Sequence, residues 1–130
     1  MSGYIFDVPA LTDAASGWPS QYVLALITIT ADEPDPIIIP STVRSRAMQE
    51  CLTPGQAAEL DWFLARTAVF REVPLNESDV PDVEQLMKRL DDVAAAHVAL
   101  IARREDRTII TSWDRKPMFI AEGLIAEDLP

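Results

Sequence analysis

The chain has 130 residues, 48% of them hydrophobic and 25% charged, with a formal net charge of −10. That length and apolar content suit one folded domain spanning residues 1–130 and exclude a disordered chain. One cysteine, Cys51, and one histidine, His97, rule out disulfide frameworks, zinc sites and Ser-His-Asp or Cys-His nucleophilic chemistry. The acidic surplus disfavours nonspecific nucleic-acid binding, which depends on basic surface.

No apolar run approaches the roughly 20 residues of a membrane span, and the N-terminus lacks the basic and apolar blocks of an export signal. The expected compartment is a reducing cytoplasm. The 21 acidic residues leave carboxylate-plus-metal chemistry open, because Mg²⁺ and Mn²⁺ favour hard oxygen ligands.

Tyr4-Ile5-Phe6 reads as a first strand ending at Asp7, which suits a helix N-cap ahead of Pro9. Gly17-Trp18-Pro19-Ser20 punctuates, and a helix is expected from Gln21 to Ala31. Ile37-Ile38-Ile39 fits a strand covered on both faces. Pro40-Ser41 should open a helix to about Leu52, with Ser41 as its cap. Thr53-Pro54-Gly55-Gln56 has the pattern of a capping box, followed by an amphipathic helix to Arg66. Val69–Val73 is a third strand.

After a polar loop from Asn76 to Pro81, helices are expected over about Val83–Leu90 and Asp92–Arg104. The second is apolar on most sides, as a helix packed deep against a sheet would be. Thr108-Ile109-Ile110 is a fourth strand, and no element is assigned to Arg115–Pro130. Strands alternating with helices predict an α/β fold, a parallel sheet with helices on both faces and a site at the carboxyl ends of the strands. His97 is expected in the core, and Cys51 as a buried small hydrophobe. Trp18, Trp62 and Trp113 are too scattered to form a base-stacking platform and are expected in the core or at an interface.

Four segments together resemble the PIN domain, particularly VapC-type toxins of toxin–antitoxin pairs: Ile5–Leu11, Ile38–Val43, Ala95–Arg104 and Thr108–Ser112. The "AHVALIARR…RTIITS" stretch is the most specific of them. The resemblance implies a three-layer α/β/α sandwich with a central parallel sheet. It also implies Mg²⁺- or Mn²⁺-dependent ribonuclease activity, frequent dimerisation, and four acidic residues converging at the strand ends.

Only one of those four acids carries over, as Asp7. The family's glutamate, six residues after the proline of the second strand, falls on Arg46. The aspartate before "AHVA" falls on Ala95, and the one after Thr-Ser falls on Trp113. Clustered carboxylates are tolerable when a divalent cation neutralises them, and a guanidinium beside a lone carboxylate can take over that role.

The expectation is therefore a catalytically degenerate PIN-like domain that works as a binding or regulatory module, without cofactor. Asp7 and Arg46 should meet as a salt bridge, and the rim of the pocket should be basic through Arg44, Arg46, Ser112, Arg115 and Lys116. The expected partner is a protein, such as an antitoxin-like or DNA-binding regulator, with a homodimer and no membrane. The alternative is a ribonuclease toxin that binds Mg²⁺ or Mn²⁺ through a displaced set, Asp7, Glu50, Asp92 and Asp114, with RNA as substrate. One helical turn displaces a side chain by about 5.4 Å, whereas metal–oxygen distances hold within about 0.2 Å, so near neighbours are poor substitutes.

Overall fold

The computed structural model describes residues 3–130. Five short parallel strands form one sheet in the order β3-β2-β1-β4-β5. They are β1 (Tyr4–Phe6), β2 (Ile37–Pro40), β3 (Phe70–Val73), β4 (Thr108–Thr111) and β5 (Ala126–Asp128). Seven α-helices accompany them among the described residues, and the whole is a three-layer α/β/α arrangement. They are α1 (Val8–Ala14), α2 (Gln21–Ala31), α3 (Ser41–Arg46), α4 (Pro54–Arg66), α5 (Val80–Met87), α6 (Val93–Glu105) and α7 (Lys116–Ala121).

The central strands have no solvent face. Ile5, Phe6, Ile37, Ile38, Ile39, Ile109 and Ile110 are all fully buried, as unbroken apolar runs in a doubly covered parallel sheet require. Helix α6 is buried continuously from Ala94 to Ala102 and lies against β1, β2 and β4. Its alanines let the helix approach the strands closely, and His97 sits in this core as expected.

The chain leaves β1 toward β2 and β3 on one side and toward β4 and β5 on the other. The strand order therefore reverses between β1 and β4. In open parallel sheets the crevice at the carboxyl ends beside such a reversal is where ligand sites form. Two segments meet there: the residues after Phe6 and those after Thr111.

The local signals largely hold. Thr53 and Gln56 form the reciprocal capping box that opens α4, with N···O distances of 3.2 and 3.0 Å. Asn76 and Asp79 build a second box around a short 3₁₀ turn, which starts α5 at Val80, ahead of the expected Val83.

Other expectations are corrected. Ser41 does not cap α3: Pro40 holds that position, and the Ser41 hydroxyl accepts the Leu75 N–H at 3.2 Å. The helix after β2 does not run unbroken to Leu52. It gives way at Ala47 to a single π-helical turn through Cys51, closed by Leu52 N–H to the Ala47 carbonyl at 2.9 Å. Cys51 ends that turn exposed, not buried. Trp18, Trp62 and Trp113 lie outside the core, so of the two places expected for them, core or interface, the core is excluded. The C-terminal segment carries both α7 and β5, which were too short to show a period.

At the amino ends of the strands, the buried Arg107 side chain ties the sheet to its loops. It donates to the Tyr4 and Pro36 carbonyls and pairs with Asp35 and Glu105. It follows Asp106, whose left-handed conformation (φ 53°, ψ 51°) ends α6. A β-carbon is strained there, and glycine is not. Asp106→Gly should raise stability by about 0.5–1 kcal/mol in urea unfolding. A loss of stability would contradict this account of the α6 terminus.

Candidate functional site

Asp7 follows β1 directly and is completely buried. Its backbone is extended, as an N-cap requires, but its carboxylate caps nothing. Instead Oδ2 accepts the Thr111 hydroxyl at 2.7 Å and the Arg115 Nε–H at 2.7 Å, while Oδ1 accepts Arg115 Nη2–H at 3.1 Å. The two arginine contacts make a bidentate fork, the geometry in which a guanidinium binds carboxylate best. Thr111 ends β4 and Arg115 lies just beyond it, so both approach from the strand at the reversal point.

Arg115 reaches further. Its Nη1 donates to Asp92 Oδ2 at 2.9 Å. The other Asp92 oxygen caps α6 by accepting the Ala95 N–H at 2.7 Å. Arg46, at the end of α3, also donates to Asp92, and its Nε donates to Glu50 at 2.9 Å. The result is one chain of alternating charge: Glu50, Arg46, Asp92, Arg115, Asp7. It joins the carboxyl ends of β1 and β4 to α3, the π turn and the start of α6.

The electrostatics follow from burial and pairing. Burial opposes the ionised form of Asp92, but hydrogen bonds from Arg115 and the Ala95 N–H outweigh it and hold its carboxyl below the usual range. Burial likewise opposes the charge on Arg115, and Asp7 and Asp92 more than restore it, so that guanidinium stays protonated. The stabilisation from Asp92 is complete above its ordinary value of 3.8 and fades as pH falls through its lowered folded value.

These contacts revise the expected geometry. Asp7 does not pair with Arg46; the two are linked through Asp92 and Arg115. Strands β1 and β2 are neighbours, but the partner of Asp7 comes from the other side of β1, just beyond β4. Arg46 does face the crevice, lining cavities of about 520 and 460 Å³ on its two sides.

Of the other family positions, Ala95 contributes only its backbone N–H, and Trp113 stands exposed on the turn after β4. The basic rim is not assembled as expected. Arg44 pairs with Asp61 and Glu72, beside α4 and β3 and away from the crevice. Lys116 pairs with Asp128 on β5 at 3.1 Å. Ser112 lines the larger cavity, and its carbonyl accepts the Arg115 and Lys116 N–H groups.

The donor set does not fit a divalent metal. Both Asp7 oxygens face Arg115, both Asp92 oxygens are engaged, and Glu50 is held by Arg46. Asp114 is held by the Ser112 hydroxyl, which lowers its pKa. Among the described residues no group of three or more histidine, cysteine, aspartate or glutamate side chains is placed to hold a metal ion. Asp7, Glu50, Asp92 and Asp114 are thus drawn to arginines and a serine and not to a common centre.

The buried pair makes a directional prediction. Arg115→Met leaves a fully buried carboxylate facing only Thr111 and should cost about 3–5 kcal/mol in urea unfolding. Asp7→Asn should cost less, because Arg115 keeps Asp92. The double variant should be more stable than Arg115→Met alone. If Arg115→Met is as stable as the parent chain, the pair does not hold this site.

No family model matches the chain, and no curated protein matches it. Solved structures do. One is FitAB bound to an IR36 DNA fragment, at 14% identity and a TM-score of 0.65, covering 96% of this chain and 94% of that one. FitAcB from Neisseria gonorrhoeae gives 14% identity and 0.65, covering 95% of each chain. VapBC2 from Rickettsia felis, bound to a DNA fragment from its promoter, gives 16% identity and 0.71, covering 98% and 99%. The FitB and VapC chains of these structures have the PIN fold, and each match covers nearly the whole of both chains. The chain has a PIN/VapC-like fold.

Proposed function

We propose that this protein is a PIN-fold binding module whose acidic pocket is neutralised by its own arginines and does not cleave RNA. The observation that carries this reading is the Arg115 fork on Asp7, continued through Asp92 to Arg46. Metal-assisted phosphoryl transfer needs an anchored cation to make hydroxide and to stabilise the developing charge. A guanidinium neutralises carboxylates but has no open coordination position and lowers no water's pKa. Arg46 adds a second fixed cation where the resemblance places a glutamate.

The occupant of such a module is a protein. The structural neighbours are toxin–antitoxin assemblies, so a protein partner of the antitoxin or DNA-binding regulator type is the natural extension of that likeness. A second copy of the chain is also proposed, through α4. That helix buries only Leu60 and leaves Trp62 and Phe63 partly exposed beside a groove formed with Ala14 and Ala15. Its single free cysteine suits a reducing cytoplasm, and among the described residues no helix is long and apolar enough to cross a membrane.

Two measurements check this reading. Incubation with structured and single-stranded RNA in Mg²⁺ or Mn²⁺ should give cleavage no faster than the Asp7→Asn variant. Chelator-sensitive cleavage lost in Asp7→Asn would establish the ribonuclease reading instead. Light scattering at tens of micromolar should give twice the 14.4 kDa chain mass, falling to the monomer in Trp62→Ala/Phe63→Ala. A monomer in the parent chain removes the dimer.

A further inference from the structure

The only histidine in the sequence sits at the seam between α3 and α6. His97 is about 1% exposed, and its Nδ1 lies 2.8 Å from the Thr42 hydroxyl on α3. Its Nε2 is buried without a hydrogen-bond partner. Thr42 and Arg46 are one turn apart on α3, and Asp92 and His97 lie on the first turns of α6. The Thr42–His97 and Arg46–Asp92 contacts are therefore two rungs across one seam, the first apolar in its surroundings and the second part of the charge chain.

A neutral imidazole fits this position, since the Thr42 hydroxyl can donate to or accept from Nδ1 and so satisfies it in either tautomer, leaving only Nε2 without a partner. A protonated ring presents two N–H donors and a full charge. The second donor then faces only the Pro74 carbonyl, which makes no well-formed hydrogen bond to Nε2, and a buried charge so poorly paired is among the costliest groups a core can hold. The groups facing the ring do not remove that cost. Asp79, on the 3₁₀ turn before α5, favours the charge but is already bound by Arg104 at 2.7 Å and by the Asn76 N–H. Arg104, on the same helix as His97, opposes the charge, and the Pro74 carbonyl favours it. Burial outweighs both favourable contributions.

We propose that protonation of His97 opens the α3–α6 seam and loosens the Arg46–Asp92 rung with it, making this domain an acid-sensitive switch. The proposal does not depend on whether the pocket binds metal. It needs only that the two rungs share one pair of helices. Opening moves α3 and the π turn away from the start of α6 and exposes Asp92 and Arg115 to a partner or to solvent. The sign follows from linkage: a histidine whose folded pKa is depressed stabilises the fold above its ordinary 6.5, and the fold loses that stability as pH drops below it.

Between pH 7 and 5 few other groups in the chain titrate, so the effect can be read directly. The folding equilibrium constant of the parent chain should fall by up to tenfold per pH unit below 6.5. His97→Asn, which keeps a polar group at the Nδ1 position and cannot titrate, should be flat over the same interval. Equal slopes in the two proteins would overturn the proposal. Should His97→Asn fail to fold, proton NMR and hydrogen exchange on the parent chain decide. The imidazole should not titrate at 6.5, and amides of 41–51 and 93–98 should exchange faster below it while those of 108–111 stay protected. An imidazole that titrates at 6.5 or above, or exchange that rises equally everywhere, refutes a seam switch.

Discussion

One fully buried carboxylate governs the arrangement of the site. Asp7 stands at the end of the central strand, where the sheet reverses its order and water does not reach. A charge there must be met by an opposite charge with matching geometry, or the chain would not tolerate it. Arg115 meets it from the neighbouring strand, and the demand then propagates. Arg115 has a third N–H to place and takes Asp92; Asp92, capping α6, also receives Arg46; Arg46 is balanced by Glu50. Each charge is explained by the one before it.

This chain also accounts for what the pocket can do. A cluster of carboxylates held apart by a divalent ion leaves coordination positions open to water and phosphate. The same space filled by two guanidinium groups is neutralised by groups that only donate hydrogen bonds. It can recognise an anion or a backbone carbonyl, and it can hold two helices to a sheet. On the proposed reading it offers no route to hydroxide. The likeness to the solved structures concerns the fold; the different chemistry at its centre is the proposal made from the Asp7–Arg115 fork.

Much of this was legible in the residues before the fold was known, and the misses have a common cause. Strands announced by consecutive β-branched residues, Ile37–Ile39 and Thr108–Ile110, and the Thr53–Gln56 box are local signals, decided within a few residues. The positions Arg46, Ala95 and Trp113 were read from the spacing of the motifs that carry the resemblance. The partner of Asp7 was not, because it depends on strand order. Asp7 faces Arg115 and not Arg46 only because β4, not β2, borders the reversal. Strand β5 escaped for a related reason: three residues ending beside Pro130 show no period, and they are a strand only by pairing with β4. The π turn at Ala47–Cys51 has no distinctive residue pattern either, and with it went the burial of Cys51.

The central claim is that arginines occupy the electrostatic place of a metal ion. Calorimetric titration of the purified protein with Mn²⁺ at neutral pH tests it most directly. The account predicts no saturable binding at millimolar Mn²⁺. Saturable binding to one site per chain, abolished by Asp7→Asn, would contradict it.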